Sequence, residues 1–315
     1  MRIITRRGWE LPESAATPEH IALGRRAWLA GAAAIASVPA IARPAHAQLS
    51  KIPLTAPRNE RFVAGRALTA EKDAATYNNY YEFDDGKDMW ELAQKLPQDP
   101  WAIEITGMVE KPFKIGLDEL LKKVQLEERI YRHRCVEAWA MTVPWTGFTL
   151  ASLVKMAAPL SSAKYVEFQS LADKKYMVGV NQPWYPFPYT EGLTIEEAAN
   201  DLSFLAVGMY GKKAPPQSGG PVRLLTPWKY GFKAAKAIVK VNFTDKRPKT
   251  FWEALQPAEY GFWANVNPDV SHPRWSQKNE RILGTGERAP TQIYNGYGEF
   301  VASLYTNLGK EKLFM

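Results

Sequence analysis

The sequence predicts an α+β fold in which mixed sheets are combined with short helices and a β-rich lobe. Alternating apolar and polar residues recur in short runs, each about the length of one strand. The helix signals are equally short, as in the capping box that Thr194 and Glu197 can form. Strand patterns and turn residues continue into the last third of the chain, from Ala237 onwards. With 46% hydrophobic residues in 315, the chain can bury a large core.

These patterns define a series of strands and helices along the chain. The predicted strands are 101–107, 126–134, 164–170, 175–180, 202–209, 222–226 and 237–243. The predicted helices are 117–124, 149–156 and 194–199. The alternation ends after Cys135, so residues 136–145 are expected to form a bulky loop that Pro144 closes.

The first 47 residues have the features of an export signal. Arg25 and Arg26 precede an apolar, alanine-rich run over 28–42, and Ala45-His46-Ala47 then supplies a signal peptidase site. This pattern indicates a twin-arginine leader, cleaved after Ala47 once the translocase has moved the protein to the bacterial periplasm. Because that translocase exports folded proteins, often with a cofactor already bound, the leader also predicts a cofactor.

The rest of the chain divides into an arm and one large domain. Residues 48–76 are rich in proline, arginine and alanine without periodicity, so we expect an extended arm there, followed by a domain over 77–315. No apolar run after the leader is long enough for a transmembrane helix. The net charge is +7, but lysine and arginine are dispersed and no recognition motif accompanies them, so nucleic acid is not an expected partner.

Cys135 is the only cysteine in the chain, and it is the first candidate for a functional residue. If 126–134 is a strand, His133 and Cys135 lie on one face, whereas Arg132 and Arg134 lie on the other. The two arginines are close enough to favour a thiolate over a thiol. A lone cysteine is more often a small buried residue, and this alternative stays open at the level of the pattern.

Two further regions have the composition of ligand-binding sites. Residues 77–83 interleave four aromatic residues with two asparagines and an acid, and either pack as an aromatic cluster or hold a polar ligand. The proline- and glycine-rich loop 211–223 ends in Arg223, and loops of this kind bind anions. Lys229, Lys233 and Lys236 follow among aromatic residues, and alone they fit a solvated basic turn. Two cationic loops so close together in sequence make a phosphate-bearing ligand more attractive.

Taken together, these segments resemble a known family. The segments YNNYYEF, EERIYRHRCVEAWAMTVPW, PPQSGGPVRLLTPWKYGFK, EYGFWANVNP and HPRWSQ, behind a twin-arginine leader, are similar to the catalytic subunits of periplasmic protein-methionine-sulfoxide reductases. That family has the sulfite oxidase fold, and the resemblance covers nearly the whole mature chain.

The resemblance implies a molybdenum centre held by one molybdopterin per chain and by the Cys135 thiolate, with 77–315 as the molybdopterin-binding catalytic domain. It also implies which residues hold the pterin and its phosphate. These are Asn78, Tyr81, Glu82, Ser170, Ser218, Arg223, Ala234, Ala235 and Lys236. The family pattern has threonine in place of Ser170 and asparagine in place of Ser218. Both serines can still form hydrogen bonds, but a hydroxyl reaches less far than an amide, so the contact expected at Ser218 is weakened.

The implied reaction is reduction of methionine sulfoxide in oxidised periplasmic proteins, by oxygen-atom transfer to reduced molybdenum. Two electrons and two protons then remove the oxygen as water. No nicotinamide motif is present, and the resemblance names a haem-containing membrane subunit as the electron donor. A protein substrate implies an open mouth, which Trp139, Trp184 or Trp228 is expected to line.

Other functions are weaker on the same residues. A sulfite-oxidising dehydrogenase of the same fold needs a cationic pocket, whereas the residues after Cys135 are largely apolar. A thiol hydrolase needs a third group to orient His133 as a base, and the pattern shows none. A zinc site would need a closed ligand spacing, which Cys135, His133 and His272 lack. A periplasmic binding protein without catalysis is the alternative outside the enzymes.

Overall fold

The computed structural model describes residues 51–314, which belong to one compact unit. The predicted leader, 1–47, lies outside the described residues. The described strands are β1 Ala102–Gly107, β2 Phe113–Gly116, β3 Glu127–Arg134, β4 Trp139–Thr149, β5 Tyr165–Ser170, β6 Thr190–Thr194, β7 Phe204–Met209, β8 Lys212–Lys213, β9 Arg223–Leu225, β10 Ile238–Thr244, β11 Asn279–Ile282 and β12 Arg288–Pro290. The described α-helices are α1 Glu71–Thr76, α2 Trp90–Ala93, α3 Leu117–Lys123, α4 Leu150–Ala157, α5 Ile195–Ala199, α6 Phe251–Leu255 and α7 Gly298–Val301.

The strands form two mixed sheets. The first has five strands in the order β2-β1-β10-β5-β6, in which only the β1–β10 pair is parallel. The second has seven strands, along the path β12-β11-β4-β7-β8 with β3 also paired to β4 and β9 to β7. Among residues 51–314, no helix is long and apolar enough to cross a membrane.

Two apolar clusters hold these sheets in place. One packs the five-stranded sheet against α3, α4 and the β7 and β9 strands, with side chains such as Ile105, Phe168 and Leu205. The other covers β3, β4 and β7 with aromatic residues from the last third of the chain, such as Tyr260 and Trp263. The site described below lies beside this second cluster.

The predicted loop after Cys135 is instead a tight turn followed by a strand. Residues 136–138 turn the chain, and β4 then pairs with β3 from Ala140 to Gly147. Pro144 fits within this strand because its nitrogen faces away from β3. Thr142, two residues earlier, has its backbone on the same edge of β4, opposite β3, and there it exchanges hydrogen bonds with Thr69. The pairing of β4 with β7 on this edge begins only at Trp145, so no strand needs an N–H from Pro144.

The predicted strand 175–180 was also wrong. These residues form a turn and a short 3₁₀ helix, Val178–Asn181, because their backbone bonds to a distant segment rather than to a strand. The Gly179 amide donates to the Glu82 carbonyl at 2.9 Å. A Cβ atom at Gly179 would lie 2.1 Å from the Tyr81 carbonyl oxygen, so only glycine allows this approach.

The predicted arm and the last third of the chain both differ from the structure predicted for them. Within the described part of the predicted arm, residues 71–76 form helix α1, which buries Ala74 and Ala75. The last third contributes β10 to the five-stranded sheet and only the short β11 and β12 to the other. The β-rich part of the molecule is therefore built mainly from residues 127–225, and the last third covers it with aromatic loops.

Candidate functional site

Cys135 lies in the turn that joins β3 to β4. Its amide donates to the Trp139 carbonyl at 2.9 Å, and the Ala138 amide donates back to the Cys135 carbonyl at 3.0 Å. Ala138 adopts a left-handed conformation, with φ of 61°, which closes the turn. The side chain of Cys135 is 4% exposed and lines a pocket.

Side chains outside the turn hold its backbone from the other face. The Arg134 guanidinium donates to the Cys135 carbonyl and forms an ion pair with Glu280 at 3.0 Å. The Val136 carbonyl accepts two bonds, from Trp275 Nε1 at 2.7 Å and from Gln277 Nε2 at 2.8 Å. These bonds satisfy both carbonyls and fix the direction in which the sulfur points.

The sulfur of Cys135 is surrounded by polar groups. Asn79 Nδ2 lies 3.4 Å from Sγ, and the Glu137 amide lies 3.5 Å from it. One carboxylate oxygen of Glu137 is 3.7 Å from Sγ and also accepts from Asn79 and Trp139. Lys87 forms an ion pair with the same carboxylate at 2.9 Å. Burial alone would raise the pKa of Glu137, but the bonds from Lys87, Asn79 and Trp139 outweigh it and lower that pKa.

The expectation that flanking arginines favour a thiolate was wrong for the protein by itself. Burial and the Glu137 carboxylate raise the pKa of the Cys135 thiol to about 12. The charge of Arg134, which is paired with Glu280, does lower the pKa of the thiol, but by less than burial and Glu137 raise it, and Arg132 points to Gln292. A bound metal ion would deprotonate the thiol regardless of these neighbours.

His133 lines the same pocket as Cys135, as the alternation predicted. Its ring lies 5.5 Å from the Trp139 ring and against Gly231, where a Cβ atom would approach it to 2.4 Å. Burial, with the charges of Arg223 and Lys236, lowers the pKa of His133 to about 3, so the imidazole is neutral.

The residues predicted to hold a pterin fall into two groups. Six of them line the pocket around Cys135. These are Asn78, Tyr81, Glu82, Arg223, Ala234 and Lys236. The other three, Ser170, Ser218 and Ala235, are buried but do not line it. With the space at its open end, the pocket encloses about 810 Å³.

The charges at the base of this pocket are unbalanced. Arg223 is 3% exposed, donates to the Ser218 carbonyl at 2.7 Å and packs over the Trp145 ring, but has no carboxylate partner among the described residues. Lys236 shares its surroundings with one acid, Glu82. Burial lowers the pKa of both cations and raises the pKa of Glu82. An anion bound here would neutralise the surplus positive charge.

Unsatisfied polar atoms surround the same region. Four of them belong to predicted cofactor residues and find no hydrogen-bond partner within residues 51–314. These atoms are Asn78 Oδ1, Ser170 Oγ, Ser218 Oγ and Arg223 Nε. Buried polar atoms are rarely left without partners. The surplus cation and the unsatisfied donors and acceptors both fit a polar, phosphate-bearing cofactor such as molybdopterin.

Two of the three lysines from the predicted basic segment do not belong to the site. Lys229 is sealed from solvent in an ion pair with Glu197, and Lys233 in one with Glu191. Only Lys236 lines the pocket. A run of lysines in the sequence does not show which of them form ion pairs inside the protein. The two paired lysines therefore could not be told from the one that lines the pocket.

Other residues of the pocket were not predicted. Asn79 and Glu137 contact the sulfur, whereas Tyr189, Trp252 and Tyr260 form apolar walls. The one available signal was the position of Asn79, beside Asn78 in the aromatic segment. Of the three tryptophans expected at the mouth, Trp184 is 63% exposed there, Trp139 lines the inner pocket, and Trp228 is fully buried elsewhere.

Comparison with known proteins supports the same assignment. Residues 91–252 match the family model described as an oxidoreductase molybdopterin-binding domain. The protein-methionine-sulfoxide reductase catalytic subunit MsrP of Burkholderia mallei is 45% identical over 98% of this chain and 96% of its own. The MsrP of Xanthomonas campestris is 50% identical over 80% of this chain and 81% of its own.

A solved structure gives a weaker match. The sulfane dehydrogenase SoxCD from Paracoccus pantotrophus aligns with a TM-score of 0.45 and 18% identity, over 62% of this chain and 49% of its own. At these values the likeness carries no weight about function.

The two mixed sheets with short helices confirm the predicted α+β class, and the family match confirms the molybdenum-molybdopterin cofactor. The chain therefore belongs to the protein-methionine-sulfoxide reductase catalytic subunits, a family of molybdopterin-dependent oxidoreductases.

Proposed function

We propose that this protein reduces methionine sulfoxide residues of periplasmic proteins to methionine, at a molybdenum centre that Cys135 ligates. The observation that carries the proposal is the pocket itself, in which the only thiol of the chain lies beside one surplus buried positive charge and the unsatisfied polar atoms of Asn78 and Arg223. A soft thiolate suits a metal that changes oxidation state.

Both groups of predicted residues have a place in this proposal. Arg223 and Lys236 would neutralise the phosphate of the pterin, and Asn78, Tyr81, Glu82 and Ala234 would line its path. Ser170, Ser218 and Ala235 are buried outside the pocket lining, and the two serine hydroxyls, which have no partner within residues 51–314, would serve a ligand after a small rearrangement.

Reduced molybdenum, when bound, would supply the two electrons that reduce the sulfoxide and would accept its oxygen atom. The protein orients this chemistry. Asn79 and the Glu137 amide hold Sγ in place, and the bonds from Trp275 and Gln277 fix the turn that carries it. The Glu137 carboxylate, 3.7 Å from Sγ, is placed to pass on the protons that water formation consumes. Aromatic walls from Trp252 and Tyr260 limit the access of water.

The proposed partners follow from the leader and from the name of the family. A catalytic subunit implies a second subunit, for which we propose a haem-binding membrane protein that donates electrons. The twin-arginine translocase would export the loaded protein, and signal peptidase would cleave after Ala47, which leaves the enzyme in the periplasm. The substrates are oxidised proteins of that compartment.

Oxidation of sulfite by the same fold fits the pocket less well. Sulfite is a dianion, and Glu137 adds a negative charge beside the sulfur of Cys135 at the open end. Its lowered pKa keeps that charge in place. Reduction of an electron acceptor by sulfite, without turnover of any sulfoxide, would exclude our proposal.

The direct test compares the exported protein with its Cys135→Ser variant. A hydroxyl does not ionise in place of a thiolate, so we expect the variant to lose its molybdenum and at least a thousandfold in kcat. Molybdenum and pterin contents and the turnover of a methionine-sulfoxide peptide with a reduced dye are the measurements. Retention of both metal and turnover in the variant would show that the metal is held by another residue.

A further inference from the structure

A second, wider groove lies over the mouth of the cofactor pocket. The two share four wall residues: Tyr81, Glu137, Trp252 and Tyr260. With the solvent at its open side, the groove encloses about 1210 Å³. A molecule in the groove therefore lies next to the cofactor pocket, across walls that both share, in which the Trp252 and Tyr260 rings pack against each other at 4.9 Å.

One end of the groove presents an exposed but well-supported tryptophan. Trp184 is 63% exposed, and its ring lies 6.0 Å from that of Tyr185. Tyr185 in turn packs against Tyr81 at 5.7 Å and Phe251 at 5.9 Å. A large aromatic side chain held open to solvent by a rigid base has the character of an interface anchor.

The free charge at the same end is negative. The two cations of the groove are already paired, Lys87 with Glu137 and Arg274 with Glu259. Asp85 lines the groove and, like its exposed neighbour Asp84, has no ion pair among the described residues. Both lie near enough to Tyr185 to raise its pKa, after the larger effect of burial. The tryptophan and the free acids thus occur together.

We propose that this groove binds an unfolded polypeptide segment of the substrate, one that carries a basic residue close to the methionine sulfoxide. The inference rests on the proposed function and specifies its substrate. Cys135 is 4% exposed and lines the inner pocket, behind the aromatic walls that Tyr81, Trp252 and Tyr260 share with the groove, so a metal held by Cys135 would be set back from a flat, rigid protein surface. A flexible segment can lie along the groove, insert the long methionine side chain and place a neighbouring lysine or arginine beside Asp84 and Asp85.

The test compares a peptide with a small sulfoxide in the loaded enzyme, with a reduced dye as electron donor. The probes are dimethyl sulfoxide and two unstructured peptides that contain methionine sulfoxide flanked by either lysine or glutamate. We expect Trp184→Ala to raise KM for the lysine peptide about tenfold, with kcat unchanged and dimethyl sulfoxide turnover unaffected. Leu160→Ala, which truncates an exposed apolar side chain away from the groove, is the control.

The charge preference is tested separately. The glutamate peptide should have a KM about fivefold higher than the lysine peptide at low ionic strength, and this difference should shrink in 1 M salt. The double variant Asp84→Asn with Asp85→Asn should abolish the difference, whereas Glu110→Gln, which removes an exposed acid elsewhere, should keep it.

The outcomes separate the two proposals. If the wild-type enzyme turns over no sulfoxide at all, the proposed function fails. If dimethyl sulfoxide and both peptides are turned over but Trp184→Ala affects neither peptide, or affects every substrate equally, the groove is not the docking site. Equal KM values for the two peptides would overturn the charge preference.

Discussion

Two sets of buried cations, close together in sequence, are treated differently by the fold. Lys229 and Lys233 are sealed from solvent, and each has a carboxylate of its own, from Glu197 and Glu191. Arg223 and Lys236 line a pocket, and Glu82 is the one acid that they share in the part of the chain that the structure describes. The first set completes its own charge balance within the protein, whereas the second leaves a positive charge for a ligand to neutralise.

A surplus of buried charge, rather than buried charge as such, therefore marks the binding site. Removing one partner of a buried pair leaves an uncompensated charge and is strongly destabilising. Removing a surplus cation relieves a desolvation cost, so it should change the free energy of unfolding little. Its effect should appear in the binding of the ligand. Three substitutions test this distinction by their effects on the stability of the cofactor-free protein and on cofactor binding.

Lys229→Met should have the largest effect on stability. It leaves the Glu197 carboxylate buried without its cation, so we expect the free energy of unfolding to fall by about 3 to 5 kcal/mol. Urea unfolding of the cofactor-free protein measures this. A loss below about 1 kcal/mol would contradict the burial of this pair, because it would mean that water reaches the Glu197 carboxylate.

Glu82→Gln should have a smaller effect, because Lys236 faces the pocket and water can reach it. The variant leaves Arg223 and Lys236 without a nearby carboxylate, and we expect a loss of about 1 to 3 kcal/mol in the cofactor-free protein. Bound cofactor should reduce this loss, because its phosphate replaces the missing charge. An equal loss with and without cofactor would contradict the proposed phosphate position.

Arg223→Met should have the smallest effect on stability and a large one on cofactor loading. The lost bond to the Ser218 carbonyl is offset by removal of a buried charge, so the free energy of unfolding should change by less than about 1 kcal/mol. The pterin content of the exported protein should fall at least tenfold.

The control for Arg223→Met is Arg129→Met. Arg129 is also a buried arginine, but it is paired with Asp201 and lies outside the pocket. This variant should lose stability and keep its pterin. Normal pterin content in Arg223→Met would remove Arg223 from the cofactor site.

Much of the local structure could be predicted because its causes are local. The capping box of Thr194 and Glu197 forms as expected, with both of its hydrogen bonds. The alternation before Cys135 correctly places His133 in the same pocket. Six of the nine residues expected to hold the cofactor line that pocket.

The errors occurred where a distant segment decides the local conformation. Residues 175–180 alternate like a strand, but Gly179 bonds to Glu82, so they form a turn. Pro144 suggested a loop, yet its nitrogen faces a side of β4 where no strand pairs with it. The pKa of Cys135 follows its burial and Glu137, rather than the adjacent arginines.

By itself, the sequence determined the α+β class, the single thiol and the family, because residue types and short-range patterns carry that information. Only the tertiary structure decided which cations are paired, that Asn79 and Glu137 meet the sulfur, and that an exposed tryptophan and free acids border the groove above it. Pairing and burial depend on which segments the fold brings together, and no spacing along the chain specifies that.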